Sequence, residues 1–351
     1  MLEESSKKRY EAFWNNEAYE HAAAYITCWK PGAEPFETVE LARQWEDTEY
    51  RAARAVYEAE NTFYFGDGFA SYFVNYGPGS LAACIGGSYR WQEETVWFEN
   101  EQVIDQWENP PEPVLDENSK MYRMIDDLTR AVLKHKNRLV TSISDIGGIF
   151  DIMASLRGTQ DLLMDLLEYP NEIKAYARKV CQVWKTYFLR YSNLLLQEQG
   201  CLSTWMPIYS EKSYFPIQCD FSAMISPDMF SEFVLPTLVE QTEFMYRSIY
   251  HLDGVGEIPH LDHLLSIPRL NAIQWTAGAG KAALTDETWF ELYQKIQAGG
   301  KGLILLGAEP EGIEHLLKHI KTKGLYLSVN AKDPQQAKEC LRIIQLAGVK
   351  S

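Results

Sequence analysis

Positive charge is scarce in this chain. Lysine and arginine number 33 against 49 aspartates and glutamates, for a formal net charge of −16. That balance excludes a general nucleic-acid binder, which needs a basic face to displace counterions, and it disfavours an anionic membrane surface. No apolar run of about 18 residues occurs, and "MLEESSKKRYEAFW" at the N-terminus lacks the apolar core of a secretory signal. The six cysteines (28, 84, 181, 201, 219, 340) form no CxxC pair. A soluble, cytoplasmic protein with reduced thiols is therefore expected. Nucleophile elbows of the GxSxG type are missing, which argues against an esterase. "TAGAGK" (276–281) fails as a phosphate loop because Trp275 occupies the first glycine position, and no glycine fingerprint follows the first strand.

What is present is apolar material and a repeating pattern. The 351 residues are 46% apolar and 13% aromatic, ample for a large core. Residues 1–58 read as a polar helical extension, and 59–351 as the main domain. Strands are expected at 70–76, 95–99, 138–145, 203–209, 248–253, 270–276, 302–307 and 324–331. Helical periodicity marks 119–135, 147–157, 159–168, 171–198, 227–245, 258–266, 285–298, 310–321 and 333–346. Strand and helix alternate through the last third at roughly 25-residue spacing, implying parallel strands with crossover helices. The expected fold class is α/β, a (β/α)8 TIM barrel, with an open doubly wound sheet as its competitor.

In such a barrel the site lies at the C-terminal ends of the strands. Asn75 and Tyr76, Asp145, Tyr209, His251 and Asp253, Gln274 and Trp275, Glu309, and Ser328 and Asn330 stand at expected strand ends, with Asp220 on a loop. His251 and Asp253, spaced i and i+2 on an extended strand, share one face. They could bind one metal ion, or the carboxylate could orient the imidazole as a base; a rim hydrogen bond is the bland alternative. His260, His263, His315 and His319 read as structural. Tyr76, Trp205, Tyr209, Tyr214 and Trp275 are candidates for aromatic walls around a ring-bearing ligand, with Asn75 and Gln274 as polar positioners.

Three segments in order carry a family resemblance: "CDFSAMISPDMFSEFVLP" (219–236), "YHLDG" (250–254) and "LLGAEP" (305–310). The sequence resembles the uroporphyrinogen decarboxylase superfamily over roughly residues 60–348, which implies a (β/α)8 barrel. Authentic uroporphyrinogen decarboxylases hold an eight-carboxylate tetrapyrrole with an N-terminal arginine motif, and the matching stretch here, "NYGPGSLAACIGG", has no arginine. A polyacid would be repelled by this chain. The superfamily's corrinoid-linked methyltransferases use zinc with thiolate ligands. Here His251 is kept, Asp253 replaces the first cysteine, and "SVNA" (328–331) lacks the second. The remaining donors, His251, Asp253, Glu309 and Asn330, are a harder set for a divalent metal such as zinc.

The expected function is a superfamily enzyme binding a small ring-bearing substrate at the barrel mouth. Its first reading is a methyltransferase acting on an O- or N-methyl donor with a corrinoid protein as partner. His251, Asp253 and Asp220 would be its catalytic groups. The alternatives are a decarboxylase of porphyrin biosynthesis and a non-catalytic ligand-binding barrel. A homodimer is compatible with the sequence.

Overall fold

The computed structural model describes residues 2–99 and 102–349. Helix α1 (Glu4–Trp14) carries Tyr10, Phe13 and Trp14 on one stripe, all buried. Strand β1 (Ala23–Trp29) follows, then α2 (Leu41–Glu46), α3 (Thr48–Glu60), β2 (Thr62–Gly66) and β3 (Ser71–Phe73). After α4 (Leu81–Cys84) come β4 (Ser88–Trp91), β5 (Val96–Glu99), α5 (Lys120–Leu133) and β6 (Val140–Ser142). Helices α6 (Ile149–Arg157), α7 (Thr159–Glu168) and α8 (Pro170–Gln199) then run in succession, with Pro170 fitting the first turn of α8. Strand β7 (Tyr214–Gln218) leads to α9 (Pro227–Met229) and α10 (Leu235–Glu243). The chain continues through β8 (Arg247–Asp253), α11 (Leu261–Leu265), β9 (Ala272–Thr276), α12 (Phe290–Ala298), β10 (Gly302–Leu306), α13 (Ile313–His319), β11 (Leu325–Asn330) and α14 (Pro334–Ala347).

Seven strands form one sheet in the order β2-β1-β11-β10-β9-β8-β7, parallel throughout except for the β1–β2 pair. Its central strands are buried on both faces, as Leu303, Ile304 and Leu305 of β10 illustrate. Strands β3 and β6 pair in parallel, and β4 and β5 form a hairpin. The architecture is thus mixed α/β around a mostly parallel sheet, with the β3–β6 ladder separate from it.

Several elements differ from the sequence-based expectation. Residues 23–29, expected to be helical, form β1: Ala24, Ile26 and Cys28 are buried, while Tyr25 and Thr27, on the opposite face, are only partly so. Tertiary pairing with β11 overrides the helix preference of three successive alanines. Residues 203–209 form no regular strand. Leu202 and Ser210 bridge one another, so the segment doubles back, and Ile143 N–H bonds the Ser203 carbonyl at 3.0 Å. The strand that precedes "CDFSAMIS" is β7, unforeseen because Pro216 interrupts it. Proline is tolerated there because β7 is the last strand of the seven-stranded ladder.

Helix α1 closes the end of the sheet where the strands begin. Trp14 meets Tyr214 at 4.8 Å, Phe13 meets Tyr326 at 5.8 Å, and Arg247, the first residue of β8, pairs with Glu11. Arg9 anchors the helix on Asp67 at 2.7 Å, with side-chain exposures of 10% and 0%. The second Asp67 oxygen accepts the Ala24 amide at 3.0 Å. Removing one partner strands a buried charge. Asp67→Ala is accordingly expected to destabilise the fold by about 3–5 kcal/mol, read as a lowered denaturation midpoint; a loss under about 1 kcal/mol would refute the anchoring role.

Candidate active site

The opposite end, where β7, β8 and β9 finish, gathers the polar groups. In β8 the alternation sends Tyr250 and Leu252 into buried packing and leaves His251 and Asp253 partly open on the other face. Gly254, at φ +84°, turns the chain sharply after Asp253, a conformation in which a side chain would be strained. Asp220 begins a 3₁₀ turn just beyond β7. One donor atom from each of Asp220, His251 and Asp253 lies within 4.8 Å of the others, a spacing that could hold a metal ion. His251 Nε2 and Asp253 Oδ2 stand 3.9 Å apart, too far for a direct hydrogen bond.

The imidazole is oriented by its neighbour on β9. Gln274 is the ladder partner of His251, and its amide Nε2 donates to the Trp275 carbonyl at 2.7 Å and to Thr276 Oγ1 at 2.8 Å. A backbone carbonyl can only accept, so the Gln274 Oε1 must face His251 and accept from Nδ1. This fixes the tautomer and turns the Nε2 lone pair toward Asp253 and Asp220, the arrangement that presents a histidine to a metal. Trp205 packs edge-to-face on the His251 ring at 4.9 Å.

Asp220 is held by Asp151, near the start of α6, whose two carboxylate oxygens accept the Asp220 amide at 3.1 Å and the Phe221 amide at 2.8 Å. The Asp220 carboxylate reaches solvent but sits deep among protein atoms. Burial raises its pKa, His251 opposes that rise, and Asp253 reinforces it. Burial and the Asp220 charge push Asp151 up to about 7. Glu257, fully buried in the 3₁₀ turn after Gly254, accepts the Tyr250 hydroxyl at 3.1 Å, while its Oε1 has no partner. Burial first, then Asp220, pushes this carboxyl up to about 10, so it carries its proton at neutral pH.

The other expected site residues are used elsewhere. Tyr209 and Tyr214 lie at the α1 end: Tyr10 stacks near Tyr209 at 6.0 Å, and Tyr214 opens β7 rather than ending a strand. Trp275 alternates away from Gln274 onto Trp289. Tyr76 is buried, its hydroxyl donating to the Met124 carbonyl beneath the Arg51 guanidinium. Asn75 accepts the Gly77 amide within its own turn. Glu309 clamps the loop before α12 through Leu284 and Thr285, and Asn330 accepts from Thr27 on β1. Glu309 does not join the three-donor group. Sequence reasoning did not assign Asp151 or Glu257. An acid in the first turn of α6 was a weak signal for the former, and nothing local marked the latter.

No family model and no curated protein matches the sequence. Among solved structures, a methyltransferase from Methanosarcina mazei superposes with a TM-score of 0.62 at 11% identity, covering 97% of this chain and 98% of that one. The likeness at this identity is one of fold, and it extends over essentially the whole of both chains. No helix among the described residues is long and apolar enough to cross a membrane.

Two outcomes are expected. Gln274→Leu frees the imidazole, and any divalent-cation affinity of the trio should fall about 10–100-fold in a competition titration; unchanged affinity would dismiss the orienting role. For Glu257 the unfolded chain ionises near the ordinary value of 4.5, whereas the folded chain keeps its proton up to about 10. The unfolded state therefore binds fewer protons between those limits, and stability falls as pH rises through them. Glu257→Gln should flatten that decline in denaturation curves, and an identical slope in both proteins would count against a neutral Glu257.

Proposed function

We propose that this chain is an enzyme of the uroporphyrinogen decarboxylase superfamily, a methyltransferase that moves a methyl group from an O- or N-methyl donor to a corrinoid protein. In this reading the parallel strands β1 and β7–β11, with β3 and β6, make up the eight strands of a (β/α)8 cylinder, and the substrate enters where β7, β8 and β9 end. The observation that carries the proposal is the trio of Asp220, His251 and Asp253 with its oriented imidazole. Support for the reaction class comes from the full-length likeness to a methyltransferase.

The residues fit a divalent cation. Two carboxylates and one imidazole nitrogen form a nitrogen–oxygen donor set, suited to zinc among others, and Asp151 and Gln274 orient two of the three ligands. Bound there, a cation would supply Lewis acidity toward the heteroatom that releases its methyl group. The protein's own part is positioning. Asp151 fixes the backbone of Asp220, Gln274 fixes His251, and Trp205 packs edge-to-face against the imidazole.

Decarboxylation of an eight-carboxylate tetrapyrrole fits less well. The ionic neighbours that act on Asp145 and Asp220 are other carboxylates and His251, with no arginine or lysine among them. Such a mouth repels a polyanion.

The protein is expected to bind about one equivalent of zinc. His251→Ala should abolish that binding and lower methyl transfer to cob(I)alamin by about 100-fold or more, since several kcal/mol of Lewis-acid stabilisation would be lost. Full metal retention in both His251→Ala and Asp253→Asn would defeat the assignment of the trio.

A further inference from the structure

Helix α13 carries a pair of histidines that shares no residue with the trio. His315 and His319, expected to be structural, are both exposed. The helix buries a different stripe, Ile313, Leu316 and Leu317, against the core. Spaced i and i+4, the two imidazoles stand one turn apart on a single face, with ring centroids 4.5 Å apart. Core packing does not account for them.

Their arrangement is held from both sides. Phe290, the first residue of α12 and 7% exposed, lies against both rings, with centroids 5.4 Å from His315 and 5.1 Å from His319. Gln294, one turn further along α12, donates to the His319 carbonyl at 3.0 Å. With the rings already packed side by side, less side-chain freedom is lost when one ligand takes both. His319 Nδ1 lies 2.9 Å from the His315 carbonyl. A carbonyl only accepts, so in the neutral ring Nδ1 carries the proton and Nε2 keeps its lone pair. This bond caps the last turn of α13 and leaves one nitrogen unspent. Metal-bound histidines are oriented in the same way, through the ring nitrogen that does not touch the ion. The neighbouring cation, Lys318, is paired with Glu314 at 2.8 Å, and the chain as a whole carries a charge of −16.

We propose that His315 and His319 form a second metal site, a two-histidine chelate for a divalent transition-metal ion, copper(II) ahead of nickel(II) and zinc(II). Imidazole nitrogens suit these ions, and copper(II) stands highest in the order of affinity. One nitrogen from each ring reaches a common ion, which imidazoles hold at about 2 Å. Water fills the remaining positions, because among the described residues no carboxylate or thiol completes a three-donor group with the pair. The site is therefore open and exchangeable, unlike a closed structural centre. It stands whether or not the methyltransferase reading does.

The test is a copper(II) titration of the full chain followed by electron paramagnetic resonance, which counts the nitrogens on the ion. The trio offers one imidazole and this pair offers two, so the two sites give different patterns. The wild type is expected to bind one copper(II) with a two-nitrogen pattern. His315→Ala and His319→Ala should each remove that pattern and weaken this binding about 100-fold, because the second ring no longer adds to the first. Both positions are exposed, so neither substitution should unfold the protein. His251→Ala should leave the two-nitrogen copper in place. Absence of two-nitrogen copper from the wild type would overturn the site, as would its survival in His315→Ala or His319→Ala. Its loss from a folded His251→Ala protein would overturn the site as well, since the copper would then belong to the trio.

Discussion

Crowding of carboxyl groups at one end of the sheet is the constraint around which this structure is arranged. Asp145, Asp151, Asp220 and Glu257 all have raised pKa values, and in each case burial is the largest cause and another carboxylate adds to it. What holds them is a set of neutral donors. Backbone amides of residues 79 and 147 serve Asp145, amides of 220 and 221 serve Asp151, and the Tyr250 hydroxyl serves Glu257. Neutral donors fix position without cancelling charge, so the cluster keeps a standing affinity for protons and cations. A salt-bridged version of the same pocket would be more stable and chemically idle.

Holding repelling groups together requires a stiff frame, and the opposite end of the sheet provides it. Tyr10, Phe13 and Trp14 of α1 fill the space between the starts of the strands, with Tyr209, Tyr214 and Tyr326 packed against them. Much of the aromatic content that could have suggested a ligand-binding wall is spent there. Aromatic pairs at 4.8–6.2 Å combine large apolar burial with directional packing, and the Arg9–Asp67 pair keys the plug in one orientation. The two ends therefore divide the work: one is filled and apolar, the other polar and partly exposed at Asp220, His251 and Asp253.

The division explains which features were legible in the sequence. His251 and Asp253 were readable because a period of two on an apolar strand assigns both to one face, whatever the fold around them. Asp220 was readable from its segment, and the β8–β11 alternation from its regular spacing. Tyr209 and Tyr214 stand at the opposite end for one reason: Pro216 masks β7 in the sequence, and the apolar pattern of 203–209, which resembles a strand, belongs to a segment that doubles back. Glu309 and Asn330 do follow strands, as expected, but position along the chain does not reveal how a side chain's bonding capacity is used. Loop amides and Thr27 consume theirs. Strand β1 was unreadable because it is held between β2 and β11, the latter about 300 residues away, and these tertiary pairings outweigh alanine's local preference.

The chemistry open to the trio is narrowed by a group that cannot take part. Cys219 adjoins Asp220 and belongs to a resemblance in which thiolates bind zinc, yet its side chain is buried. Burial pushes its thiol well up, and Asp151, Glu257 and Asp220 add to the effect. Among the described residues its sulfur does not join the donor group, which consists of Asp220, His251 and Asp253. The carboxylates that crowd this end of the sheet thus supply oxygen donors, and they add to the burial that keeps the Cys219 thiol protonated in the metal-free chain. A cation held there meets nitrogen and oxygen, which favours polarising an oxygen- or nitrogen-bound methyl group over activating a thiol.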